Sequence, residues 1–200
     1  MNTLYAKADT TLFGTVFAPL DWARSLGLVL AFSVLTGLAA QVAIPLPWTP
    51  VPITAQTFVV LLTGILLGSR LGAIAMIAYL VEGAIGLPFF SAGRSGMFHL
   101  LYSPSTGYLF AFPVAAFVVG LLAERKWDRN VVWAGLAIFI GSVVILLGGW
   151  FGLLRFMSPT QAFLTGVAPF IPGDIVKVLL AAVAFPSGWA VLNRMGHGRR

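Results

Sequence analysis

Apolar positions fall into six runs along this chain, at roughly residues 24–43, 54–68, 71–88, 105–123, 131–155 and 172–193. They do not alternate with polar positions, so helices are predicted rather than the strands of a barrel. Runs of about 20 residues match the hydrocarbon thickness of a bilayer. The expected fold class is therefore an all-α integral membrane protein with six transmembrane helices. The second run is short, and Gly68, Ser69 and Arg70 turn it into the third, which predicts a helical hairpin.

The breaks between runs are unusual. Residues 44–54 read IPLPWTPVPIT, four prolines in eleven positions with no charge. Proline removes a backbone donor and disfavours helix in the residue before it, so this segment must run extended. Being apolar, it is expected to lie against the protein rather than in water. The third and fourth runs are joined by PFFSAGRSGMFHLLYSP, and the fifth and sixth by FMSPTQAFLTGVAPFIPGD.

Composition agrees with the membrane reading, since 59% of residues are hydrophobic and only 9% charged. One membrane domain over residues 1–200 is expected: an arm at 1–23, a bundle at 24–193 and a basic tail at 194–200. The first twenty residues contain Lys7 and Asp9 but no basic, apolar and small-residue sequence of a signal peptide, so they are read as a cytoplasmic or interfacial arm. The absence of cysteine excludes disulfides and thiolate chemistry.

The net charge of +6 raises nucleic acid and anionic lipid as partners, and the placement of the charges decides between them. With the N-terminus inside, Lys7, Arg24, Arg70, Arg125, Lys126, Arg129, Arg194, Arg199 and Arg200 share one face. Only Arg94 and Arg155 fall on the other, nine against two. Positive residues collect on the cytoplasmic side, so both termini are expected there and nucleic acid is not needed to explain the charge. The three unusual breaks then share the outer face.

Asp174 and Lys177 are the ionisable residues placed where charge is most costly, at the start of the last run in IPGDIVKVLLAA. Spaced i, i+3, they share a helical face, and such an intramembrane pair marks a functional site or fixes helix packing. Glu82, with Tyr79 one turn before it, is either a ligand group or a partner for Lys177. Arg94, between Gly93 and Gly96, suits a carboxylate or a lipid headgroup. Phe58, Phe89 and Phe90 lie by the outer breaks, as an interfacial belt predicts, whereas Trp48 and Tyr108 sit among Pro and Gly as pocket walls would. His99 and His197 are too isolated for a metal site, and no phosphate loop, HExxH or nucleophile elbow occurs. No cofactor is indicated. Small residues at four-residue spacing, Ala39 with Ala43 and Gly64 with Gly68 and Gly72, allow close helix approach. An intramembrane enzyme using Asp174, Lys177 and Glu82, or a structural subunit without a ligand, are the alternatives to a binding protein.

The blocks IPLPWTPVPITAQTFVVLLTGILLG, YLVEGAIGLPFF and GVAPFIPGDIVKVLLAA, in that order, resemble the BioY-type biotin-specific components of energy-coupling factor transporters. The resemblance implies a six-helix protein of the bacterial cytoplasmic membrane that captures biotin from outside. It implies as partners a transmembrane coupling subunit and two ATPase subunits. Carried onto this chain, it puts Asp174 and Lys177 on the ureido ring, with Trp48, Phe90 and Tyr108 around the apolar part. Arg94 is then the candidate for the ligand carboxylate, Glu82 and Tyr79 stand nearby, and Ala39 and Ala43 face the coupling subunit. The proline-rich segment becomes a preorganised lid.

Overall fold

A computed structural model of the chain describes residues 11–16 and 21–194, except for the side chains of 192 and 193. Most of the expected N-terminal arm, including Lys7, and most of the basic tail lie outside the described residues. What is described is mostly helical. Among the described residues, four long helices, α2, α6, α7 and α9, and the α3–α4 hairpin carry the bundle's length: α1 is Leu12–Val16, α2 Trp22–Gln41, α3 Gln56–Leu67, α4 Ser69–Ala84, α5 Met97–Tyr102, α6 Thr106–Glu124, α7 Val131–Leu153, α8 Pro159–Gly166 and α9 Ile171–Arg194. Large apolar side chains such as Leu38, Val81, Phe139, Leu179 and Val183 are exposed around the bundle, which is what an apolar solvent permits.

The helix ends follow local chemistry. Asp21 starts α2 by accepting the Arg24 N–H at 2.8 Å, and Asn130 starts α7 by accepting from Val132 and Trp133. Ser158 and Gln161 form a capping box on α8, with Pro159 in its first turn. After α2 the chain pairs Ala43–Ile44 (β1) with Ile53–Thr54 (β2) in a short antiparallel ladder. The prolines between them supply no donors to extend it. Residues 45–52 therefore form a strap, and Val51, only 5% exposed, plugs it into the core.

The hairpin expected at 68–70 is present. Gly68 holds φ at +83°, a region that favours glycine, and Ser69 begins α4 immediately after it. Glu124 from the end of α6 takes the place of a cap, accepting from the Ser69 N–H at 2.8 Å and hydroxyl at 2.6 Å. Helix α6 packs against α3, α4 and α7 at backbone distance. A Cβ on Gly120 would lie 2.3 Å from the Ser69 nitrogen, and one on Gly107 would lie 2.2 Å from the Gly148 carbonyl oxygen. Lipid tails give helices little hydrophobic reason to associate, so close packing of this kind supplies the attraction.

Among the described residues, four helical segments are long and apolar enough to cross a membrane: Trp22–Gln41, Thr106–Glu124, Val131–Leu153 and Pro159–Val191. Helices α3 and α4, at 12 and 16 residues, are shorter. At a rise of about 1.5 Å per residue they reach about 18 and 24 Å. The outer break after α7 is itself largely helical, since α8 occupies it. The basic residues separate as expected between two ends of the bundle. Arg24, Arg70, Arg125, Lys126, Arg129 and Arg194 stand at the hairpin end, and Arg94 and Arg155 at the strap end.

At the hairpin end, the turn Trp127–Arg129 fastens α9 to α6 and α7. Asp128 is fully buried, accepts from the Trp189 indole N–H at 2.5 Å and leaves Oδ1 without a partner, while the Arg129 guanidinium lies 4.1 Å from the centre of the Trp189 ring. Burial pushes the Asp128 carboxyl up from 3.8 to about 6, against the smaller opposing effects of Trp189 and Arg129. The folded state thus holds this proton more tightly than the unfolded chain. Stability from this group is fullest below about pH 4 and is lost as pH rises through about 6, to the extent of about 3 kcal/mol. Asp128→Asn is expected to raise the unfolding temperature at about pH 7.5 and to lose most of that gain at about pH 4, measured by thermal unfolding in detergent.

Candidate functional site

The strap end gathers polar groups into the interior. Pro172 and Gly173 open α9, placing Asp174 and Lys177 in its first two turns on one side. The Lys177 ammonium donates to Asp174 Oδ1 at 2.6 Å and to Thr57 Oγ1 of α3 at 2.6 Å. The side chains are only 13% and 15% exposed for Asp174 and Lys177, so the charges neutralise each other away from bulk water. Their contact with Thr57 ties α9 to α3 across the bundle.

Above this pair lies a cavity of about 30 Å³, walled by Val51, Pro52 and Thr54 of the strap, Gln56 and Thr57 of α3, Phe90, His99, Tyr108 and Phe170. A narrower recess of about 10 Å³ continues from it to Asp174 and Lys177, sharing Thr57, Tyr108 and Phe170 as walls and adding Ser142 of α7. Together they hold water-sized contents.

Phe90 is 1% exposed and meets Tyr79 edge to face, with centroids 5.8 Å apart. Tyr79 is fully buried behind the cavity wall, where its hydroxyl accepts from Gln56 and donates to the Phe89 carbonyl at 3.2 Å. Tyr108 is pinned by a hydrogen bond from its hydroxyl to the Gly166 carbonyl and by its ring lying against Gly149 and Phe170. The structure thus puts Phe90 and Tyr108 on the cavity and Asp174, Lys177 and Tyr108 on the adjoining recess, with Tyr79 one contact behind the cavity.

Other expected site residues lie elsewhere. Glu82 faces α2, where the Ser33 hydroxyl is 3.1 Å from its Oε1, and it does not pair with Lys177. Trp48 sits at the tip of the strap, 62% exposed. Arg94 is exposed at the rim, and its carbonyl accepts from the Phe90 N–H. Ala39 is buried within this chain, and Ala43 lies beyond the end of α2 in β1. The small positions at four-residue spacing that α2 does leave exposed are Ala23, Gly27 and Ala31.

Gln41 and Gln56 escaped the reading of the sequence, and His99 was weighed only as a metal ligand. Gln41 organises the break after α4, its amide donating to the carbonyls of Pro88 and Phe90 and accepting from the Gly93 N–H. Gln56, 4% exposed, bridges Thr54 and Tyr79 at the cavity. His99 lines the cavity with Nε2 buried and unpartnered, and burial followed by the Arg94 charge holds its pKa below the ordinary value, so it stays neutral near pH 7. The available signal was position: Gln41 and Gln56 lie at the ends of apolar runs, and His99 in the break that contains Arg94.

A helical bundle whose cavity and recess present paired charges, hydroxyls and aromatics has the features of a membrane protein that captures a small polar-headed molecule. The chain belongs to the BioY family, whose profile matches residues 7–194. It is 40% identical over 161 residues to a probable biotin transporter of Pyrococcus horikoshii, covering 80% of this chain and 93% of the other. It is 38% identical over 172 residues to a biotin transporter of Rhizobium etli, covering 80% and 90%. The fold is also similar to the crystal structure of the S-component for biotin from an ECF-type ABC transporter, with a TM-score of 0.73, 25% identity, and 82% and 90% of the two chains covered. Members of the family are transporters, not enzymes.

The packing around Tyr108 is tight enough to test. A Cβ on Gly149 would lie 2.0 Å from the Tyr108 ring, whereas one on Gly173 would meet nothing within 4 Å. Gly149→Ala is expected to lower stability by about 1–3 kcal/mol by overpacking, and Gly173→Ala to leave it unchanged or slightly raised. Thermal unfolding of the two variants side by side checks the difference.

Proposed function

We propose that this chain captures biotin in the cavity at its strap end and serves as the substrate-binding component of an energy-coupling factor transporter. The observation that supports this most is the Asp174–Lys177–Thr57 cluster lining a cavity in a member of a family of biotin transporters. The ureido ring offers two N–H donors and one carbonyl acceptor. Asp174 accepts from the ring, Lys177 donates to it, and Phe90 and Tyr108 contact the bicycle and the valeryl chain. Hydrogen bonds to charged groups contribute about 1.5–3 kcal/mol each, and a ligand that fails to make them leaves a buried charge poorly compensated.

The cavity as it stands is far smaller than biotin. Capture therefore requires the strap and the 85–96 break to lift and settle again over the ligand. The exposed Arg94, beside the neutral His99, is the group we assign to the carboxylate at the rim. Because the prolines restrict the strap before binding, closing it costs less conformational entropy.

In this reading the protein crosses the bacterial cytoplasmic membrane six times, α3 and α4 forming a short re-entering pair of crossings, with the hairpin end and both termini in the cytoplasm. The excess of Lys and Arg at the hairpin end supports that orientation. Energy comes from a coupling subunit and two ATPase subunits. The exposed Ala23, Gly27 and Ala31 face of α2 suits close docking of a helix of the coupling subunit better than Ala39 and Ala43 do.

Equilibrium binding of biotin to the detergent-purified chain tests this, with desthiobiotin and an unrelated vitamin as comparators. Selective one-to-one binding is expected, weakened at least about tenfold by Lys177→Ala with the fold retained. Unchanged affinity in folded Lys177→Ala would sink the assignment of the ureido contact. A biotin amide is expected to bind more weakly than biotin to the wild-type chain, and by the same amount as biotin to Arg94→Ala.

A further inference from the structure

Hydroxyl groups inside the helices of this protein are mostly satisfied by their own helix. Ser33, Thr36, Thr63, Thr165 and Ser187 each donate to a carbonyl three or four residues back. Ser142, midway along α7, is 4% exposed and its Oγ has no hydrogen-bond partner. Among the described residues Ser25 is the other helix serine in this state, and it lies in the first turn of α2, at the hairpin end. A buried hydroxyl without a partner is destabilising, and its persistence calls for an explanation.

Its surroundings supply one. Ser142 lines the recess that also contains Thr57, Asp174 and Lys177. It also stands at the base of a membrane-side groove of about 180 Å³ between α7 and α9, whose walls apart from Asp174 are apolar, among them Phe139, Ile175 and Leu179. The groove walls offer the hydroxyl no polar group besides Asp174, whereas the recess sets it beside Thr57, Asp174 and Lys177. There, Lys177 already donates to both Asp174 and Thr57, while Ser142 stays uncommitted.

We infer that Ser142 is a third polar contact for the ligand and a determinant of its specificity. This rests on the biotin reading. One ring N–H of the urea donates to Asp174, the other donates to Ser142 Oγ, and Lys177 donates to the urea oxygen. Such a contact recognises a cyclic urea with both nitrogens unsubstituted, and a methyl on the nitrogen facing Ser142 removes it.

The test is a cycle of protein against ligand: wild type and Ser142→Ala, each titrated with biotin and with biotin methylated at one or the other ureido nitrogen. For the wild type, both methylated ligands bind more weakly than biotin. Ser142→Ala is expected to bind biotin about five- to tenfold more weakly, and its discrimination against one of the two methylated ligands to shrink by a similar factor. Ser142→Thr, which keeps the hydroxyl, retains the discrimination. Should the alanine variant not fold, the nearly isosteric Ser142→Cys is expected to give the same pattern.

A folded Ser142→Ala with unchanged biotin affinity overturns the contact. So does an equal loss for all three ligands, which is the mark of a packing role. If the wild-type chain does not bind biotin, the biotin reading falls and this contact falls with it, whereas the outcomes above leave that reading standing.

Discussion

A single ammonium group organises the interior of this protein. Lys177 projects from α9 into a bundle of apolar helices, where an uncompensated charge is costly, and it is held by a carboxylate on its own helix and a hydroxyl on α3. Residues 120 positions apart are thereby joined. Tyr108 of α6, Ser142 and Ile145 of α7 and Phe170 close around this point. Breaking such a pair by removing one member strands the other, but replacing both with apolar groups is often neutral for stability. In the proposed reading, the charged pair is retained for what it recognises rather than for what it holds together.

The rest of the bundle is held by means that carry no charge through the apolar region. Glycines on α6 and α7 bring backbones into contact, with Gly107 against Gly148 and Gly152, and Gly120 lies against the α3–α4 turn. Carboxylates fasten the hairpin end instead, Glu124 on Ser69 and Asp128 on Trp189. The division is physically sensible. Polar fasteners are affordable near the ends, where water is close, and close packing serves where it is not. The strap end has polar ties of its own, through Gln41, Gln56, Tyr108 and Lys177.

Much of the helical layout could be read from the chain because run length and the breaks between runs report directly on helices in a membrane. The runs at 105–123 and 131–155 coincide closely with Thr106–Glu124 and Val131–Leu153. The short helices Met97–Tyr102 and Pro159–Gly166 were not evident, since neither is long enough to show a pattern of its own. Within the site, Asp174 and Lys177 stood out because charge is rare here, and i, i+3 spacing made their pairing readable. Glu82 stood out for the same reason, yet its partner, Ser33, is 49 residues away and only folding brings them together. Gln41 and Gln56 were overlooked because neutral polar residues at run ends look like ordinary boundaries, and His99 was set aside because a lone histidine makes no metal site. Ala39 and Ala43 satisfied a spacing rule that presumes an unbroken helix, and α2 ends between them at Gln41.

The central claim is that the buried pair is retained for recognition and not for folding. Its most direct test is the thermal unfolding of Asp174→Asn/Lys177→Met in detergent, with and without biotin. A ligand that binds only the folded state raises its stability by RT ln(1 + [L]/Kd), so one scan reports fold and binding together. The account predicts an unfolding temperature at or above that of the wild-type chain, with the rise caused by biotin in the wild type absent from the variant. An undiminished rise with biotin, or a variant that unfolds far below the wild type, would contradict it.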